Sequence, residues 1–193
     1  MTSTKESIRK EALTLFSQRG YGATSMNDIA QKVGIKKSSL YSHYSGKEEI
    51  FLAIYQELAE IYENLNKRLF EESEDKLFEE KLFHIFQGFI KYYYENKEFQ
   101  AFWNQMTILA PPEIREKILP DLAKKDEYFH KKMIGIFQEG MEQGIITQGY
   151  PQKKVMSFRA MRDGVVAWLL LLPQLNEEWI SDFWSDLWNG LQK

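Results

Sequence analysis

The chain has 193 residues and no cysteine, which excludes disulfides, thiolate metal centres and thiol nucleophiles and leaves room for one large or two smaller cores. Its composition, 44% hydrophobic and 27% charged, is that of a folded globular protein and not of a disordered chain. The net charge of −3 hides an asymmetry, because residues 1–50 carry +3 and the remainder −6; a basic head on an acidic body points to polyanion binding confined to one end.

The opening residues MTSTKESIRK lack the apolar run of a signal peptide. The longest apolar stretch, 165–172, falls well short of the roughly 18 residues a membrane span needs. A cytoplasmic protein without a membrane partner is expected. No strict apolar/polar alternation occurs, so the whole chain reads as helix.

Ser3 and Glu6 have the spacing of a capping box, and Ile8, Ala12, Leu15 and Phe16 then share one face until Gly20 and Gly22 stop the first helix. Thr24 or Ser25 caps a second, short helix with Met26, Ile29, Ala30 and Val33 inside, closed by Gly34. The third helix is expected over 37–43 with Leu40 and Tyr44 facing inward. Ser45 and Glu48 read as a second capping box opening a fourth helix with the stripe Ile50, Phe51, Ile54, Leu58, Ile61 and Leu65. Further helices are expected over about 77–94, 99–109, 121–143, from Pro151 to a stop at Pro173, and through a final stripe of Ile180, Phe183, Trp184, Leu187, Trp188 and Leu191.

A short helix, a glycine turn and a second slim helix are what reading the DNA major groove requires. On the third helix the outward residues Lys37, Ser38, Ser39, Tyr41, Ser42 and His43 are all hydrogen-bonding or cationic. Tyr41 offers a hydroxyl and a ring edge for a thymine methyl, and Ser38 and Ser39 are short enough for close approach to base edges. Lys37, His43 and Lys47 suit phosphate contacts, as does the hydroxyl of Ser25 at a helix start.

The stretch 20–51, GYGATSMNDIAQKVGIKKSSLYSHYSGKEEIF, resembles the N-terminal signature of the TetR family of bacterial repressors. The likeness lies in Gly-Tyr after the first helix, the Thr/Ser cap, Ile-Ala, Val-Gly at the turn, Leu-Tyr-x-His-Tyr and Lys-Glu-Glu. Ser38-Ser39 departs from the glycine-containing pair of many members, so base preference does not carry over. The resemblance implies an all-α, TetR-like fold: a three-helix DNA-binding head, residues 1–47, on a six-helix-type ligand-binding and dimerisation body, residues 48–193. Carried over position by position, the DNA contacts fall on Ser25, Lys37, Ser38, Ser39, Tyr41, Ser42, His43 and Lys47. The function implied is that of a ligand-responsive repressor which binds a pseudo-palindromic operator in double-stranded DNA as a homodimer. A small apolar or aromatic effector in the body releases it.

In the body, Phe89, Tyr93, Phe102, Trp103, Met106, His130, Met133, Phe137, Met161 and Asp163 are candidates for an effector pocket, although periodicity alone already places each apolar one in the core. Polar residues on apolar helices discriminate better: His84, Asn104, Gln105, His130, Arg162 and Asp163, with Arg159 and Asp163 spaced to pair on one face. Trp168, Leu169, Leu172, Ile180, Phe183, Trp184, Leu187 and Trp188 either fill the core or form a partner surface, and their aromatic enrichment favours the dimer interface. No metal site, cofactor or enzymatic activity is expected, for the chain has no Gly-rich phosphate loop, no His-Glu-x-x-His and no Gly-x-Ser-x-Gly. The rival reading is a helical DNA-binding or protein-interaction module without ligand control.

Overall fold

The computed structural model describes residues 3–172 and 177–192, with the side chains of Leu169, Leu170 and Glu177 left out. The side chain of Leu169 and the helix stop expected at Pro173 therefore lie outside the described residues. Nine α-helices appear among them: α1 (Thr4–Arg19), α2 (Met26–Val33), α3 (Lys37–Tyr41), α4 (Lys47–Glu71), α5 (Phe78–Glu95), α6 (Lys97–Asn104), α7 (Pro112–Glu142), α8 (Pro151–Leu171) and α9 (Glu177–Leu191). The all-α class follows, with one isolated bridge between Ile146 and Gln192 as the described extended pairing.

The chain divides into two compact units. The first takes the described residues up to Tyr62 together with Asn96–Lys125; the second takes Glu63–Glu95 and the described residues from Asp126 onward. Helices α4 and α7 each contribute one part to either unit. In the first unit α1 packs on both α2 and α6, and α2 packs on α3. Its centre is an aromatic cluster in which the Phe51 ring lies 5.0 Å from Phe16, 5.1 Å from Tyr21 and 4.8 Å from Phe102. In the second unit α5, α8 and α9 pack on one another, and Trp184 of α9 sits 5.5 Å from both Phe83 and Phe86 of α5.

Local side-chain chemistry accounts for the starts of α1, α2 and α4. Ser3 and Glu6 form the expected capping box, with Ser3 N–H donating to Glu6 Oε2 at 2.6 Å. At α2 the cap is Ser25, while Thr24 is buried and donates to Gly20 O at 2.9 Å. The box opening α4 is one residue longer than its expected form, since Ser45 N–H and Oγ both donate to Glu49, at 2.6 and 2.8 Å, and Glu48 pairs with Lys117 instead.

Two elements depart from the periodicity reading. The helix after α5 does not stay α-helical to Leu109: residues Gln105–Leu109 widen into a π-helical turn, where Thr107 Oγ1 donates to Trp103 O at 2.8 Å. Ala110, forced extended by the proline that follows it, then ends the segment at ψ 146°. The next helix starts at Pro112 rather than Asp121. A proline in the first helical position loses no intrahelical bond, and buried Ile114 and Ile118 carry the stripe forward so that Pro120 is tolerated inside α7.

Gly20 closes α1 at φ 78° and ψ 170°, a conformation that only glycine adopts readily, and a methyl group there would meet Gln105 Oε1 at 2.9 Å. Gly20→Ala is expected to lower stability by about 1–3 kcal/mol, read as a drop in urea midpoint. Gly22→Ala, with nothing within 4 Å of the added carbon, leaves the midpoint in place.

Candidate nucleic-acid interface

Helix α3 spans five residues and has no side-chain cap of its own, so its position comes from what it buries. Leu40 is fully buried and Tyr44, just past the helix, is 4% exposed. Arg9 of α1 donates through Nη1 to Tyr44 Oη at 3.3 Å and through Nε to Glu57 of α4 at 2.8 Å, which ties the end of α3 to both neighbours. Gly34, at φ 78° and ψ 28°, makes the left-handed turn between α2 and α3, and Ile35 N–H then donates back to Ala30 O.

With the inner side pinned, Lys37, Ser38, Ser39, Tyr41 and Ser42 all stand exposed. Tyr41 is 48% exposed, and Lys37 Nζ hovers 6.0 Å from its ring centroid. Ser42 lies beyond the last turn, and its Oγ donates to the Ser39 carbonyl at 2.7 Å. His43 is half-buried and sits in the turn, not on the helix, because α3 ends at Tyr41. Ser25 is exposed, but its hydroxyl is engaged with Asp28 within the cap. Lys36, which precedes α3 as its N-cap and is exposed on the same side, was not singled out by the sequence pattern; its neighbour Lys37 gave the only signal for it.

Lys47 differs most from a free phosphate anchor. Its Nζ donates to Tyr21 O at 2.6 Å and lies 4.1 Å from the Tyr21 ring centroid, fastening the α1–α2 connection to the start of α4. Partial burial holds its ammonium below the ordinary lysine value.

The candidate pocket residues fall in both units. Phe102 is a fully buried part of the first unit's aromatic cluster, 6.4 Å from Phe16, and Met106 is buried in the same unit. Trp103 is half-buried against Phe99 and Tyr62, at 5.4 and 5.1 Å. In the second unit Phe89, Met133 and Phe137 are fully buried, Tyr93 nearly so, and His130 half-buried. Met161 lines a cleft of about 480 Å³ with Tyr150, Lys154 and Leu187. Asp163 is exposed and accepts from Arg162 Nε at 2.8 Å; the Arg159–Asp163 pair expected from spacing is replaced by Arg159 with Asp126.

Of the residues read as a dimer interface, Ile180, Trp184 and Leu187 are buried within the chain itself, and Trp184 stacks at 6.0 Å on half-buried Trp188. Phe183 and Leu172 are half-buried. These helical stripes serve the chain's own core. Among the described residues the large apolar side chains exposed on α8 and α9 are Met156 at 60%, near the start of α8, and Trp168 at 52%, Leu171 at 69% and Trp179 at 48% towards the α8–α9 connection. Among the described residues no group of three His, Asp or Glu side chains is placed to hold a metal ion, and no helix is long and apolar enough to cross a membrane.

A glycine-turned pair of short helices held by a third, followed by a long helical body, defines a helix-turn-helix protein. Residues 8–54 match the model of the bacterial regulatory proteins of the tetR family. Over 47 residues the chain is 53% identical to the biofilm operon icaADBC HTH-type negative transcriptional regulator IcaR of Staphylococcus epidermidis, a match covering 24% of this chain and 25% of that protein. It therefore spans about a quarter of the length of the curated relatives it matches. The TetR-family regulator PfmR from Thermus thermophilus superposes over 100% of both chains with a TM-score of 0.74 and 27% identity. AibR, solved in complex with isovaleryl coenzyme A and operator DNA, shares the fold at a TM-score of 0.73 and 21% identity, over 93% of this chain and 95% of its own. Residues 8–54 are thus similar to the DNA-binding domain of tetR-family regulators, and the chain as a whole shares their fold.

The carboxylates of Asp28 and Glu49 cap α2 and α4, the helices flanking α3. Bonds from the Ser25 side chain and backbone hold Asp28 below its ordinary 3.8, and bonds from the Ser45 backbone and side chain hold Glu49 below 4.5. A folded-state value below the unfolded one means the unfolded chain binds protons first, so this stabilisation is present above pH 4.5 and lost as pH falls through the lowered values. The difference in melting midpoint between the chain and its Asp28→Asn/Glu49→Gln variant should accordingly shrink between neutral and acid pH; a constant difference contradicts it.

Proposed function

We propose that the protein is a transcriptional repressor that binds double-stranded operator DNA through α3, acts as a homodimer in the cytoplasm, and is released by a small molecule bound in its body. The observation that carries this reading is the exposed face of α3, where Lys37, Ser38, Ser39 and Tyr41 project together from a helix pinned by Leu40 and Tyr44. Support also comes from the similar proteins, IcaR being a negative transcriptional regulator and AibR having been solved with isovaleryl coenzyme A and operator DNA.

Ser38, Ser39 and Tyr41 are the base-edge contacts in this reading, and Lys37 and Ser42, with Lys36 beside them, contact phosphates. Ser25 and His43 flank the groove. Lys47 acts chiefly by bracing Tyr21. Two such helices in a two-fold dimer lie about one DNA turn apart, roughly 34 Å, and read a pseudo-palindrome. Full release by a ligand needs it to favour the non-binding state by about 5.5 kcal/mol.

In a gel-shift assay with the DNA upstream of its own gene, Tyr41→Ala is expected to weaken binding at least about tenfold, the worth of one good base contact. Lys47→Ala lowers melting temperature as well as affinity. Unchanged retardation by Tyr41→Ala sinks the placement of α3 in the groove. The dimer surface we assign to exposed Trp168, Leu171 and Trp179 rather than to the buried stripe. Trp168→Glu with Trp179→Glu should elute as a folded monomer in size-exclusion chromatography, and an intact dimer would falsify that surface.

A further inference from the structure

Two polar side chains of the second unit sit where apolar ones would be expected. Asn66 of α4 is 1% exposed, and neither its Nδ2 nor its Oδ1 has a hydrogen-bond partner. Arg162 of α8 is 3% exposed, with its guanidinium carbon 4.4 Å from the Phe89 ring centroid and 5.4 Å from that of Phe129. Its Nε and Nη2 reach Asp163 Oδ1 at 2.8 and 2.7 Å, and that carboxylate stands 59% exposed while Nη1 is buried.

Arg162 borders a set of rings that the helix of Asn66 also reaches. Phe70, one helical turn after Asn66, packs 5.6 Å from Phe129, and Phe89 lies 5.6 Å from the same ring. Leu69 fills the space that a side chain at Gly88 would need, so α4 and α5 are in close contact one turn from Asn66 and next to Phe89. A buried amide with unused donor and acceptor capacity, one turn before Phe70, and a buried cation against Phe89 and Phe129 are thus carried by helices that pack on the same rings.

Resting on the regulator reading above, we propose that the effector is an apolar carboxylic acid carrying a hydroxyl beside its carboxylate, bound at this cluster. The carboxylate accepts from Arg162 and from Asn66 Nδ2, the hydroxyl donates to Asn66 Oδ1, and the apolar remainder lies against Phe89 and Phe129. A charge in this low-dielectric setting favours an anion over a neutral isostere. Both groups are buried in the structure, so the acid enters by displacing flexible side chains, Met133 foremost, one turn from Phe129 on α7.

The test is calorimetric titration of the full chain with 3-phenyllactate, its neutral amide, and 3-phenylpropanoate, which lacks the hydroxyl. The hydroxy acid should bind at least about tenfold more tightly than the amide, the worth of one charge-assisted bond. Arg162→Met should bind acid and amide alike, and Asn66→Leu should bind the hydroxy acid and phenylpropanoate alike. Asn66→Leu should also melt at or above the parent chain, because an apolar replacement relieves an unpartnered amide. Equal binding of acid and amide by the parent chain, no binding of the hydroxy acid, or a lower melting point for Asn66→Leu overturns the proposal. Gel shifts on the same samples separate the two readings: retained DNA binding with no acid preference removes the acid site alone, and lost DNA binding removes the regulator reading.

Discussion

A helix of five residues cannot hold itself in water, since nucleating a turn costs more than so few backbone bonds return. Helix α3 therefore exists because Leu40 is buried under it and because Tyr44, gripped by Arg9, anchors its end. Arg9 also reaches Glu57, so one guanidinium joins α1, the end of α3 and α4. The exposed polar face of α3 is the other side of that anchoring. Every outward residue is free to be chosen for recognition because the inward ones alone decide where the helix lies.

The same logic extends through the first unit. Phe16, Tyr21, Phe51 and Phe102 form one cluster, with Tyr21 also stacked under Lys47. Phe102 brings α6 into the core beneath the short helices, and the close approach at Gly20 accommodates Gln105. The exposed face of α3 is thus braced by segments far away in sequence. A head of three helices alone would lack this aromatic support.

The second unit solves a different problem. It buries large rings on α5, α7, α8 and α9, and amid them it keeps an arginine and an asparagine. An unpaired buried amide costs about 1–3 kcal/mol and a buried guanidinium needs compensation, so neither is a natural filler. Arg162 is compensated by two ring faces and by Asp163 at the surface. Asn66 has no such arrangement in its side-chain hydrogen bonding. Of the polar residues that stood out on apolar helices, Arg162 was legible and Asn66 was not, since it sits in α4 with no spacing that marks it.

Features decided within one or two turns of chain were present in the sequence alone: the Ser3–Glu6 box, the cap at Ser25, the left-handed turn at Gly34, and the polar outer face of α3 opposite Leu40. Their partners are local, so spacing suffices. Periodicity also marked Trp184 and Leu187 as lying on a buried face, but it carries no record of what covers that face. Only the tertiary structure turned it onto Phe83 and Phe86 of the same chain. Long-range packing likewise drew Phe102 into the first unit, carried α7 back through Pro120 to Pro112, and gave Lys47 to Tyr21 and Arg159 to Asp126. An amphipathic stripe specifies a side to bury, and several neighbours satisfy it equally; which one does so depends on how all the helices pack together.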